Sequence, residues 1–350
     1  MLYGVVTTIQ PPTESIVGLV QRLHQNGGKL VVAGDKKGPA AYDNPGSGAW
    51  PVKFLDLNEQ LETPFKLARL SPTGHYARKN IGYLWAIAQG ATCIYETDDD
   101  NVPNESWRVR AESIPRIHVV PSPKSASRWI NIYGYFSEEN IWPRGLPLDE
   151  TRRPCPTAEP EGSAHAPVQQ GLVNGSPDVD AIWRLILDRP FEFEAGESVF
   201  LDRGNWCPFN TQSTWWWPVA YPLLYIPSYC SFRMCDIWKS FVAQRCLWEL
   251  GAGVAFHAAE VVQDRNLHDL MRDFQEEIPG YQNNRRIAEV LMAAELRPGQ
   301  GYVSDNLRTC YECLVEAEIF PARELELLEA WRHDLESVHH HENGDLSAHA

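Results

Sequence analysis

Three consecutive aspartates, Asp98-Asp99-Asp100, close a short apolar segment of a 350-residue chain. Carboxylates gathered at a strand end repel one another and lose hydration if buried unpaired. A divalent cation resolves that conflict. Hard cations prefer carboxylate oxygens, keep open positions and bridge the oxygens of a diphosphate leaving group. Alternate residues of an extended segment point the same way, so Asp98 and Asp100 are expected to hold Mn²⁺ or Mg²⁺, with Asp99 toward a nucleotide. A solvated acidic turn is the bland alternative. The preceding buried strand, and Thr7, Thr8 and Asp35 at other strand ends, favour the site. Arg78 and Lys79 open the helix before the acidic run, where side chains and free amides suit a pyrophosphate. In Phe232-Arg233-Met234-Cys235-Asp236, Asp236 at a helix start reads either as a cap or as a general base that takes a proton from an attacking hydroxyl.

These residues need elements to carry them. Leu2 to Ile9 is β-branched and apolar, Thr13 follows a Pro-Pro break, and Ile16, Val17, Val20 and Leu23 recur at helical spacing before Gly27-Gly28. Lys29 to Ala33 completes a βαβ unit, whose loops Thr7–Pro12 and Gly34–Gly38 fall where open parallel sheets bind ligands. A second helix is predicted over Tyr76–Gln89 and a buried strand over Ala91–Glu96, ending at the acidic run. Residues 150–167, rich in Pro, Arg, Glu and Ala, read as a mobile loop. Phe232–Gly251 is helix-like, and residues 285–338 read as two or three helices broken at Pro298-Gly299. The expected division is a main domain over 1–284, a helical appendage over 285–338 and a disordered tail over 339–350.

Composition narrows the function classes. The chain is 43% hydrophobic, ample for a packed core, and its net charge of −15 works against nucleic acid or an anionic membrane as partner. No stretch approaches a transmembrane length of about 18 apolar residues, and the N-terminus lacks a signal-peptide pattern, so the expected location is cytoplasmic. The eight cysteines are scattered and read as free thiols. Trp215-Trp216-Trp217, with Trp206, Trp183 and Trp142, is assigned to core or subunit contacts, a homo-oligomer being among the expected partners.

Several motifs, in order from about residue 3 to 290, carry a family resemblance. Tyr76-Ala77-Arg78-Lys79-Asn80-Ile81-Gly82, the acidic run, Trp142-Pro143-Arg144-Gly145-Leu146-Pro147, Gln169-Gln170-Gly171, Pro177-Asp178-Val179-Asp180 and Gln244-Arg245-Cys246-Leu247-Trp248 together resemble the STELLO glycosyltransferases. The resemblance implies an α/β GT-A fold, a mixed sheet flanked by helices, and a nucleotide-sugar donor, UDP-linked by preference. It also implies a saccharide or other hydroxyl acceptor. Thr7, Thr8, Asp35, Arg78, Lys79, Asp99 and Arg233 are then the donor-binding candidates, and Asp236 corresponds to the base of inverting GT-A enzymes. A more distant likeness is to the reversibly glycosylated polypeptides, the UDP-arabinopyranose mutases, whose glycosylated arginine is similar in setting to Arg144. That leaves Arg144 to bind the donor diphosphate or to carry a sugar covalently. The late-loop histidine that GT-A enzymes often add to the metal shell is replaced by Gln263, with His268 as the nearby candidate. Plant STELLO proteins resemble membrane-anchored Golgi proteins, an anchor this sequence does not show. A non-catalytic GT-A scaffold partnering a synthase is the third reading.

Overall fold

The computed structural model describes residues 1–263 and 269–345, the last seven as backbone alone. Its first elements are β1 (Leu2–Thr8), α1 (Glu14–Gln25) and β2 (Lys29–Gly34), with β1 and β2 parallel. The Thr13 side chain caps α1 by accepting from the Ile16 amide, and Ile16, Leu19, Val20 and Leu23 are its buried face. After β3 (Val52–Leu55), parallel to β2, come the short helices α2 (Leu57–Glu62) and α3 (Lys66–Leu70). A 3₁₀ turn at Tyr76–Arg78 runs into α4 (Lys79–Ala88), and β4 (Cys93–Thr97) then joins β1 in parallel. A Cβ on Gly82 of α4 would sit 2.8 Å from Val5 Cγ1, so the glycine sets how closely this helix approaches β1.

The remaining strands widen the sheet. They are β5 (Asn101–Pro103), β6 (Ser113–Val120), β7 (Arg128–Trp129), β8 (Glu159–His165), β9 (Val168–Gly175), β10 (Val199–Leu201), β11 (Asn205–Trp206), β12 (Ser213–Trp216) and β13 (Val254–Gln263). The main sheet holds 11 strands in the order β3-β2-β1-β4-β12-β9-β13-β10-β6-β8, with β5 paired to β13. The mixed α/β sheet flanked by helices matches the expected class. The mobile loop expected over residues 150–167 does not: Glu159–His165 pairs antiparallel with β6 along the sheet edge. Its run of exposed polar residues has no apolar alternation because only Ala164 is buried, and the backbone ladder holds it in place.

Helices α5 (Ala181–Ile186), α6 (Cys235–Trp248), α7 (Leu270–Ala293), α8 (Val303–Glu316) and α9 (Glu324–Asp345) complete the molecule. Every residue of α6 is buried: the helix packs against α7 and α8, and its Lys239 reaches Glu96 of β4. The segment expected as a helical appendage packs into the main core. Helix α7 runs across residue 285, and Ile287, Leu307 and Trp331 belong to one apolar cluster with Ile81 and Trp216. Asp334 of α9 accepts the Lys66 and Leu67 amides that open α3. The expected disordered tail begins as helix through Asp345, and residues 346–350 lie outside the described residues. Trp142, Trp183, Trp206, Trp215, Trp216 and Trp217 are all buried, in keeping with a core role. All eight cysteines are free.

Candidate functional site

A cleft of about 490 Å³ opens at the carboxyl ends of β1, β2 and β4, within the size range of small-molecule sites. Parallel pairing puts these three ends side by side, so Thr7, Thr8, Asp35 and Asp98 to Asp100 line the same cleft. The three carboxylates of the acidic run splay apart. Asp98 Oδ1 accepts from Tyr76 Oη at 2.6 Å and Lys79 Nζ at 3.2 Å. Asp99 accepts from the Thr8 hydroxyl, while its carbonyl takes the Thr13 hydroxyl at 2.7 Å. Asp100 Oδ2 accepts from Gln263 Nε2 at 2.9 Å, whereas its Oδ1 is buried without a partner. Burial, and then the Asp98 charge, push the Asp100 carboxyl up to about 7. Burial also raises Asp99.

The facing wall is organised by Arg144. Its Nε and Nη2 hold Asp178 at 2.7 and 2.8 Å, and its Nη1 and Nη2 hold Asp236 at 2.9 and 2.8 Å. Nη1 also donates to the Arg233 carbonyl. The fork is therefore fully engaged between two carboxylates. Burial works against its charge, but Asp178 and Asp236 outweigh it and hold the guanidinium well above its ordinary value. Gly145 makes the turn possible: its φ is +91°, and a Cβ there would overlap Ile237 of α6. Arg233 lines the cleft while paired with Glu277 at 2.8 Å. Beneath the cleft, Glu96 of β4 and Lys239 of α6 form a buried ion pair at 3.0 Å, with Trp216 Nε1 donating to Glu96 at 2.6 Å.

Not every residue named from the sequence faces the cleft. Arg78, expected to meet a pyrophosphate, is buried, and its guanidinium donates to Gln60 Oε1 and to the Ala68 and Ser71 carbonyls. It clamps α2 and α3 to the start of α4 because its side chain turns into the protein. Lys79 is buried under the acidic run, donating to Thr97 O at 2.7 Å as well as to Asp98. Asp35 lines the cleft, yet its oxygens accept the Lys36, Gly74 and His75 amides, so it fastens the 74–75 loop. His268 lies outside the described residues. The sequence reading did not single out Lys37, His75, Asp178, Thr211, Gln212 or Phe232 for this cleft. Asp178 and Phe232 stood in quoted motifs, and Gln212 was hidden beside the Trp-rich strand.

The fit of a divalent cation can be tested on charge and on orphaned atoms. Asp35, Asp98, Asp99, Asp100, Asp178 and Asp236 line the cleft against Lys37, Arg144 and Arg233, and both arginines are already engaged by carboxylates. A diphosphate entering such a cleft needs added positive charge. Among the described residues no three His, Cys, Asp or Glu side chains converge as a ligand cluster. Instead, two buried oxygens on the cleft wall, Asp100 Oδ1 and Gln212 Oε1, lack any partner. Orphaned oxygens of this kind fit a hard cation.

Comparison with known proteins agrees with the motifs. Residues 233–344 match a family model described as STELLO glycosyltransferases. The chain is 30% identical over 277 residues to "Probable glycosyltransferase STELLO2" of Arabidopsis thaliana, covering 73% of this chain and 35% of that protein. It is 29% identical over 293 residues to "Probable glycosyltransferase STELLO1" of the same plant, covering 75% of this chain and 37% of that protein. The chain thus spans little more than a third of the length of these relatives. No helix among the described residues is long and apolar enough to cross a membrane.

Proposed function

We infer that the chain is a STELLO-type glycosyltransferase and that it moves a sugar from a nucleotide-sugar, UDP-linked by preference, to a hydroxyl acceptor. The observation that carries this reading is one cleft holding two separate carboxylate systems. The acidic run lies at the strand ends, and Asp236 lies on the Arg144 wall. Donor phosphates and acceptor hydroxyl need different chemistry, and the two walls offer it.

Asp98 and Asp100 are the residues that would hold Mn²⁺ or Mg²⁺, which would supply charge neutralisation for the departing nucleoside diphosphate. Thr7, Thr8 and Lys37 would border the nucleotide, and Tyr76 and Lys79 hold the Asp98 carboxylate in its orientation. Asp236, fixed in one orientation by the Arg144 fork, would take the proton of the attacking hydroxyl. Attack in a single displacement inverts the anomeric centre. The mutase alternative would require Arg144 to act as a nucleophile. Its charge is stabilised by two carboxylates and its donors are engaged on both sides, which weighs against that role.

A thermal-shift panel of UDP, GDP, CDP, dTDP and their sugars, with and without Mn²⁺, tests the reading. One nucleotide is expected to raise the midpoint only with metal, and the Asp98→Ala/Asp100→Ala variant is expected to lose the effect. If no nucleotide shifts the well-folded protein, the donor site is refuted and a scaffold role takes its place.

A further inference from the structure

Gln212 precedes β12 and lines the cleft as a residue only 8% exposed. Its backbone is held from three directions. The Asn210 Oδ1 atom accepts its amide at 3.0 Å, and its carbonyl accepts from Asn101 Nδ2 at 3.0 Å and from the Thr97 hydroxyl. The side chain is held as well, through a relay that runs from Asp100 by way of Gln263. Gln263 donates its amide nitrogen to Asp100 Oδ2 at 2.9 Å. Gln263 Oε1 is thereby turned to accept, and it does so from Gln212 Nε2 at 3.0 Å. The Gln212 oxygen is consequently the free end. It is buried, it accepts from nothing, and it belongs to the same relay as Asp100 Oδ1, the other orphaned oxygen.

A protein does not ordinarily leave two buried acceptors empty on one wall. With Asp100 ionised, neither oxygen can be satisfied by the other, since both then only accept. A ligand bearing positive charge can satisfy both, and the splayed acidic run cannot complete a shell from carboxylates alone. We propose that Gln212 is a direct ligand of the divalent cation, its Oε1 joining Asp100 Oδ1 in a shell of oxygens, with Gln263 as the positioning residue. The proposal rests on the metal-dependent donor reading given above. A glutamine oxygen in place of an imidazole makes the protein's contribution hard, which favours Mg²⁺ and Mn²⁺ over Zn²⁺, Co²⁺ and Ni²⁺.

The test is Mn²⁺ binding, read from the free-ion EPR signal, with Mn²⁺ alone and with Mn²⁺ plus UDP. The proteins are wild type, Gln212→Ala, Gln212→His, Gln263→Leu and Asp100→Asn, each confirmed folded by circular dichroism. Gln212→Ala is expected to weaken Mn²⁺ binding by about 10-fold or more, and Gln263→Leu by a smaller factor. Gln212→His is expected to bind Mn²⁺ while gaining Zn²⁺ competition that the wild type lacks, which also guards against loss of binding through misfolding. If Gln212→Ala binds Mn²⁺ like the wild type while Asp100→Asn does not, the glutamine role is overturned and the metal reading stands. If the wild type binds no Mn²⁺ under either condition, the metal reading falls and the proposal with it.

Discussion

Asp236 and Arg144 show how little freedom a single side chain has in this cleft. Asp236 was legible as an acid at a helix start, and the structure puts it in α6 with both oxygens on one guanidinium. Nothing in the local sequence announces that partner, 92 residues earlier, since the pairing depends on the turn at Gly145. Arg78 is the converse case. Its place at the start of α4 was readable, but its direction was not, because the acceptors that hold it belong to α2, α3 and the residue after them. The base assignment predicts that Asp236→Asn lowers kcat by ~10²-fold or more. Nucleotide-dependent thermal stabilisation is expected to be retained, since the substitution leaves the strand-end wall untouched. A kcat within a few-fold of wild type would remove Asp236 from the proton transfer.

At the scale of elements, the βαβ start and the helix-strand-acid order were readable because each carries a clear period and a clear stop. Strand β8 was not, because an edge strand with one buried residue leaves only a polar string in the sequence. The wall opposite the acidic run was likewise obscured, being assembled from α6 and from loops that carry Arg144 and Asp178, far apart in the chain. What ties that wall to the strand ends is the buried pair Glu96–Lys239, which bridges β4 and α6 directly under the cleft. Burial lowers Lys239 below its ordinary value, with Glu96 opposing that shift. Removing one partner leaves a buried charge without compensation, so Lys239→Met is expected to destabilise by about 3–5 kcal/mol. The double variant Lys239→Met/Glu96→Gln should recover part of that loss in urea unfolding. Equal stability of the single variant and wild type would show that the bridge does not brace the two elements.

For the whole molecule, pH stability should be governed in part by a residue far from the acidic run. His257 is fully enclosed, with Nδ1 at 2.6 Å from Ser198 Oγ and Nε2 at 3.0 Å from Gln169 Oε1. Burial, with the charges of Arg110 and Arg108, holds it well below 6.5. The folded chain therefore keeps the neutral ring while the unfolded chain takes up a proton as the pH falls through about 6.5. The associated stability is present above that pH and is lost below it, at up to about 1.4 kcal/mol per pH unit. Chemical denaturation at pH 7.5 and 5.5 should reveal that loss in the wild type and a smaller one in His257→Gln. Identical slopes would mean that the ring is protonated in the folded state.

The polar edge strand has a consequence for life in concentrated solution. Among the described residues the sheet of 11 strands ends with an unpaired ladder at β8, and such a ladder is a template on which a second molecule can build. Here the exposed sequence is Glu159-Pro160-Glu161-Gly162. Proline withholds an amide donor, the two glutamates repel a like-charged copy, and glycine offers no apolar surface to clasp. The features that make the segment illegible as a strand are those that keep the finished sheet from recruiting its neighbours.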